Sequence, residues 1–262
     1  MTVMLAQVNY PHQQIGPFLS RSNGAIPSTD VQPKNRDYHA AVEIARPPLF
    51  AGILPGDYAR IAAAARVKTF ARGEMLYLEG EPVRQVILLT SGFAKLTHNG
   101  LSGMEVILRI GVSGDVLGAT GLFSTRGHCS TAQAFRGCRA LVWEASAFNI
   151  LVERFPVLHQ NMARILGADL LELEERFREV ATEKVGSRLA RQLLRLVKRI
   201  GWPVNGGVEI DVSREDLAQM TGTTLFTVSR LLSAWAVLGA VTLRREAVTI
   251  CNAESLLAIS ES

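Results

Sequence analysis

Cysteine is scarce in this chain: its 262 residues hold three, Cys129, Cys138 and Cys251, with no Cys-x-x-Cys pair among them. An odd count without close spacing argues against a disulfide framework and an all-thiolate zinc site, and a cubane iron–sulfur cluster, which takes four thiolates, is not expected. A reducing cytoplasm is the compartment that fits. Long hydrophobic runs are missing too, and the opening MTVMLAQVNYPHQQIGPFLS lacks a basic start followed by an unbroken apolar stretch. Neither a membrane partner nor export is expected. A large excess of one charge is also absent. The net charge is +4, and positions 185 to 262 hold nine basic against seven acidic side chains, so charge alone does not identify a binder of polyanions.

What is present is apolar material, 48% of the chain, enough to bury two separate cores. Residues 1–46 are rich in Gln, Asn, Ser, Pro and Gly without periodicity, which reads as a flexible tail. A helical stretch, PGDYARIAAAARVK, follows from Pro55. The pattern then changes to short β-like runs, KTFARG, EMLYLEG, QVILLTSG, FAKLTHNG, MEVILRIG and DVLGATG, with CRALVWEA as a closing strand. Gly80, Gly92, Gly103 and Gly114 recur at intervals of eleven or twelve residues, one strand plus one turn each time. That spacing predicts a β-roll or jelly-roll over 47–155, with an unrelated small β-sandwich as the alternative.

From Pro156 the periodicity becomes helical. His159, Ala163, Leu166, Leu170, Leu173, Phe177 and Val180 alternate in steps of three and four, a seam flanked by charges that wants an apolar partner. The spacing predicts a dimerisation helix over 156–184, pairing with its symmetry mate; the alternative is a stripe that packs only on its own roll. Another amphipathic helix, RLARQLLRLVKRIG, ends at Gly201 and Pro203.

The densest signal lies between Ser213 and Ile250. Ser213 with Asp216 approximates a capping box, Gly222 supplies a corner, and Thr224 can cap a second helix. Leu217, Val228 and Leu231 fall inward and Ala218 is small where the helices approach. Leu225, Phe226, Ser229 and Arg230 form the outward stripe that enters a major groove, and GAVTLRREAVTI follows as a hairpin. A winged helix-turn-helix over 185–262 is predicted, against the alternative of a helical hairpin packing on something else. The fold class is α+β.

A glycine-punctuated roll, a long helix and a winged helix-turn-helix, in that order, resemble the Crp/Fnr superfamily of bacterial transcription regulators from about Pro48 to Leu257. The motifs are SGDVLGATGLF, KVGSRLARQLLRL and REDLAQMTGTTLFTVSRLL. The resemblance implies a homodimer on double-stranded promoter DNA with two-fold symmetric half-sites, touching RNA polymerase if it activates. In the family the reading helix typically offers a Glu in its first turn and an Arg one turn later; here Ser229 and Arg230 match the later pair, and Phe226 stands at the Glu. Arg230 can grip guanine O6 and N7 together, whereas Phe226 suits a thymine methyl. Ser213, Arg214, Thr224 and Thr227 are placed to engage phosphates, and Arg244 and Arg245 to contact the backbone from the wing.

Cyclic-nucleotide members usually carry Gly-Glu for the ribose and, further along, Arg-Ser or Arg-Thr for the phosphate. The corresponding positions are Gly118, Ala119, Cys129 and Ser130. Both charged groups are missing, so cyclic AMP binding in the usual way is not expected. A haem is the alternative cofactor, with His128 or Cys129 as axial ligand and His98 and His159 as further candidates, although a histidine in so polar a loop is more often solvated. The reader's TGTTLFTVSR is also similar to that of members tied to nitric oxide and nitrogen-oxide metabolism. Two rival readings remain: a cyclic-nucleotide-like small-molecule regulator, and an enzyme with Cys129 as nucleophile beside His128. The latter has no third orienting group or oxyanion motif, and no enzyme is expected.

Overall fold

The computed structural model describes residues 46–100 and 103–261, so the tail expected over 1–46 lies, apart from Arg46, outside the described residues. Eight strands form two antiparallel four-stranded sheets. β1 (Arg66–Phe70), β8 (Cys138–Glu144), β3 (Gln85–Ser91) and β6 (Val116–Leu117) make one, in that order. β2 (Met75–Tyr77), β7 (Thr131–Ala134), β4 (Ala94–Asn99) and β5 (Glu105–Gly111) make the other. Alternation decides the faces. In β8, Cys138, Ala140 and Val142 point into the roll with Phe70, Ile87, Leu89 and Leu117, while Arg139, on the opposite face, is exposed. The glycines at 80, 92, 103 and 114 all have positive φ between strands. At Gly92 the need is steric as well as torsional, since a Cβ would sit 2.1 Å from the Gly137 carbonyl oxygen.

Helices close one end of the roll. α1 (Pro55–Ala63) is tied down where Trp143, fully buried on β8, donates its indole N–H to the Ile61 carbonyl at 2.8 Å. α3 (Ala145–Arg154) leads through Pro156, a first-turn proline, into α4 (Pro156–Thr182). Asn161 of α4 donates to the carbonyls of Leu49 and Ala51, satisfying the turn at Pro48–Phe50 and fixing the root of the long helix.

α5 (Val185–Ile200), α6 (Arg214–Thr221), α7 (Leu225–Val237) and α8 (Ala253–Ser260) surround a third sheet. It runs β11 (Val241–Leu243), β12 (Val248–Ile250), β10 (Gly207–Ile210) and β9 (Trp202–Val204). Its core is continuous with the roll: Ile107 and Ile110 of β5 are buried in the same cluster as Leu189, Leu193, Leu217, Met220 and Val228.

Three expectations need correction. The helix from Pro55 stops at Ala63, because Arg66–Phe70 pairs along its whole length with β8 and the ladder outweighs the alanine-rich helix propensity. DVLGATG is a strand only at Val116–Leu117; Gly118, at φ 74°, breaks it and Ala119–Leu122 makes one helical turn, α2. The hairpin after the reader is part of a four-stranded sheet, whose other half, β9 and β10, the sequence pattern does not reveal.

Candidate nucleic-acid interface and sensor site

The reader is built by two caps and a corner. Ser213 Oγ accepts from the Asp216 amide at 3.0 Å, and the Asp216 carboxylate accepts from the Ser213 amide at 3.1 Å, a reciprocal capping box at the start of α6. Gly222 ends the helix in the left-handed region, φ 61°, where a side chain is strained. Thr224 then caps α7 by accepting from the Thr227 amide at 3.2 Å. Val228, Leu232 and Trp235 bury the inner face. Leu231, expected to fall inward, packs half-buried at the edge of this core, because Leu232, four residues after Val228, completes the inner stripe.

The outward stripe is accessible. Phe226 is 77% exposed and Leu225 51%, a density of exposed apolar side chain that globular surfaces place at interfaces; Arg230 is exposed and Ser229 half-buried one turn on. Of the residues assigned to phosphate, Thr224 is exposed, while Thr227 and Arg214 are half-buried. The two threonine hydroxyls lie 3.0 Å apart, and Ser213 spends its hydroxyl on Asp216.

The wing arginines are not equivalent. Arg244 lies 3.3 Å from the carboxylate of Glu209, a buried group that also accepts from the Thr249 hydroxyl. Arg245 is exposed and makes no ion pair among the described residues, and its neighbour Glu246 reaches Arg72 of the roll at 3.6 Å.

Along α4 the seam divides. Leu166 packs against the core at the end of the roll, whereas Leu170, Leu173, Phe177 and Val180 are exposed, Phe177 to 75%. Four apolar side chains on one stripe of a helix stand in water in the single chain.

In the roll, Gly118 and His128 meet. A Cβ at Gly118 would lie 2.9 Å from His128 Cε1, so the φ 74° glycine is also a close approach. His128 is buried, contrary to the expectation of a solvated loop histidine. Its imidazole lies flat on the ring of Tyr77, with centroids 3.8 Å apart, and its Nδ1 has no hydrogen-bond partner. Burial lowers the His128 pKa against the opposing pull of Glu81. Burial likewise pushes the Tyr77 phenol up to about 12, despite the lowering influence of Ser130 and Arg109. Sequence reasoning misses Tyr77; its place as the inward residue of EMLYLEG is the available signal. A cavity of about 330 Å³ adjoins the pair, with Leu76, Pro82 and Ile87 as its apolar wall and Glu81, Arg84 and Gln85 as its polar one.

Ala119 and Ser130 are buried at this site, but Cys129 is exposed. The guanidinium whose field reaches Tyr77 is that of Arg109. It is held by Asp115 and Asp169, each at 3.3 Å, and gives a further bond to the Val116 carbonyl. The histidines do not converge: His98 pairs with Glu79 at 3.2 Å on β4, and His159 packs against Phe123 on α4. With one face on Tyr77 and Nδ1 against Gly118, His128 is packed into the wall of the roll and lines the cavity beside it.

Comparison with known proteins agrees with this architecture. A cyclic nucleotide-binding domain model matches residues 67–155, and a Crp-like helix-turn-helix domain model matches residues 187–259. The CRP-like cAMP-activated global transcriptional regulator of Mycobacterium tuberculosis is 26% identical over 215 residues, 81% of this chain and 96% of that protein. The global nitrogen regulator of Synechococcus elongatus is 29% identical, over 73% of this chain and 88% of its own. Among solved structures, the c-di-GMP responsive regulator CLP of Xanthomonas campestris superposes with a TM-score of 0.68 at 20% identity, covering 74% of this chain and 98% of that one. FixK2 of Bradyrhizobium japonicum does so with 0.67 at 22%, covering 76% and 98%. With both domain models matched in order, the chain belongs to the Crp/Fnr family of DNA-binding transcription regulators.

Proposed function

We propose that the chain acts as a homodimer that reads two-fold symmetric promoter sites in the cytoplasm, with Leu225, Phe226, Ser229 and Arg230 on base edges. Arg214, Thr224, Thr227 and Arg245 set register on phosphates. Ser213 serves mainly as a cap, and Arg244 shapes the wing through Glu209. The working division is a roll over 47–155, a dimerisation helix over 156–184 and the reader over 185–262, with RNA polymerase as a further partner where the protein activates.

The observation that carries this reading is the bare stripe of Leu170, Leu173, Phe177 and Val180 on the same chain as an exposed reading stripe. Burying a side chain of this kind is worth roughly 1.5 to 3 kcal/mol, so four of them with their symmetry mates stabilise a dimer against the cost of association. The test is light scattering of the purified protein together with mobility shift on a site selected from random DNA. A monomer that selects no site sinks the proposal.

The effector reading follows from charge. A cyclic phosphate needs a free guanidinium, and Arg109 is already held between two carboxylates, so cyclic AMP in the usual mode is disfavoured. Calorimetry with cyclic AMP is expected to show no saturable heat. An enzyme built on Cys129 is disfavoured because that thiol is exposed while the neighbouring His128 turns its Nδ1 against Gly118. A haem, or a nitric oxide signal through it, would have to be held through His128, the candidate histidine that lines the cavity.

A further inference from the structure

Two arginines each touch all three parts of the molecule. Arg199, on the first helix of the reader, donates Nε–H to the Ile110 carbonyl of β5 at 2.6 Å and Nη2–H to Asp115 in the following turn at 2.7 Å. It also lies 3.8 Å from Glu172 of α4. Arg176, on α4, donates to the Ile107 carbonyl of β5 at 3.3 Å and to the Met220 carbonyl of α6 at 2.8 Å. Between these two stations the side chains of Ile107 and Ile110 complete the apolar core of the reader. Asp115 joins the Arg199 contact to the stem by a second route, through Arg109 to Asp169 of α4. Arg136 with Asp211, at 3.1 Å and as shielded from water as Arg199 with Asp115, is a further bond between roll and reader, whereas Arg72 with Glu246 at 3.6 Å is exposed on both sides and adds little.

A junction of this kind does two things. Its apolar centre resists separation, and its forked, charge-assisted bonds resist rotation, because a guanidinium held by a carbonyl and a carboxylate has one satisfying orientation. Rotation of the reader about the stem is the motion that changes the distance between the reading helices of a dimer, and half-site spacing on DNA is set by that distance.

We propose that Arg199 and Arg176 are positioning residues that lock the reader to the roll and stem, and so fix which half-site spacing the dimer accepts, with Asp115, which Arg199 shares with Arg109, as the anchor on the roll. The inference rests on the dimeric DNA-reading function above. The side chains touch no nucleic acid in this role; they act through the orientation of α6 and α7.

The experiment is site selection from a pool in which two copies of the selected half-site are separated by a variable spacer, read alongside affinity for a fragment with one half-site. Wild type is expected to favour one spacing over those a base pair or two away by about tenfold, and Arg199→Gln and Asp115→Asn to flatten that preference to about threefold or less, with half-site affinity unchanged. Arg199→Lys, which keeps a cation beside Asp115, is expected to restore part of it. Arg176→Gln is the more disruptive variant because the half-buried guanidinium satisfies the Ile107 and Met220 carbonyls at once, so the decision rests on Arg199 and Asp115. An unchanged spacing profile in both variants, or an equal loss on single and paired half-sites, overturns the positioning role while leaving the dimer reading intact. A wild type that binds single half-sites and pairs alike overturns the dimer reading, and this inference with it.

Discussion

His128 lies face to face on Tyr77, with ring centroids 3.8 Å apart and planes 8° apart, and backs onto Gly118, where only a glycine leaves room for it. The stack makes the loop after α2 part of the wall of the roll. It also gives the fold a pH dependence of definite sign. An ordinary histidine titrates near 6.5, and burial lowers His128 below that, so between the two values the unfolded chain holds more protons than the folded one. The contribution is fully present above the ordinary value and is lost as pH falls through the lowered one. Thermal unfolding followed from about pH 8 to about pH 5 is expected to show stability falling on the acid side, with a shallower fall in His128→Phe. Equal slopes in the two proteins would contradict the assignment.

Arg230→Ala is expected to lose roughly 1 to 3 kcal/mol of discrimination at one position of each half-site, leaving weak binding to unrelated DNA in place. Phe226→Glu is expected to move base preference from T towards C at the neighbouring position, since a carboxylate accepts from cytosine N4. Selection from random DNA with each variant measures both. Unaltered sequence logos would remove these residues from the reading surface.

Phe177→Asp places a charge in the most exposed stretch of the α4 seam, and is expected to yield monomers that retain the fold but lose tight binding to paired half-sites. Light scattering and far-UV circular dichroism separate that outcome from unfolding. A variant that stays dimeric shows that the stripe is not the interface.

The wing arginines are expected to fail differently. Arg245→Ala should reduce the salt dependence of DNA binding by about one counterion for each phosphate left without its cation, with no effect on melting temperature. Arg244→Ala strips a cation from the buried Glu209 and should lower the melting temperature instead. Identical salt slopes and melting temperatures in the two variants would refute the division.

Ser213→Ala removes the N-cap hydroxyl of α6 and is expected to cost about 1 kcal/mol, with most of the loss seen in the reader. Hydrogen exchange of the α6 amides is the local readout. Unchanged protection there would mean that the capping box contributes nothing to the fold of the reader.

Much of this is legible in sequence because it is local. The capping box at Ser213, the left-handed corner at Gly222 and the Thr224 cap are decided within four residues of sequence, and each is found where spacing puts it. The glycine turns of the roll and the exposed stripe of α4 are periodic signals of the same sort. Arg66–Lys68 reads as the end of a helix because the alanine run before it favours one, and only the distant strand β8 makes those residues part of a strand. Strands β9 and β10 are three and four residues long, too short for a period to show.

By itself, then, the chain of residues settled which segments turn, cap and alternate, and hence the order of roll, stem and reader, because those choices depend on neighbours a few positions away. The tertiary structure decided what depends on distant pairs. It buried His128 on Tyr77, committed Arg109 to Asp115 and Asp169, made Arg244 a partner of Glu209, and brought Arg199 from the reader to Asp115 of the roll. Such pairs join residues as many as 84 positions apart in sequence, and no periodicity reports which arginine a given carboxylate will meet.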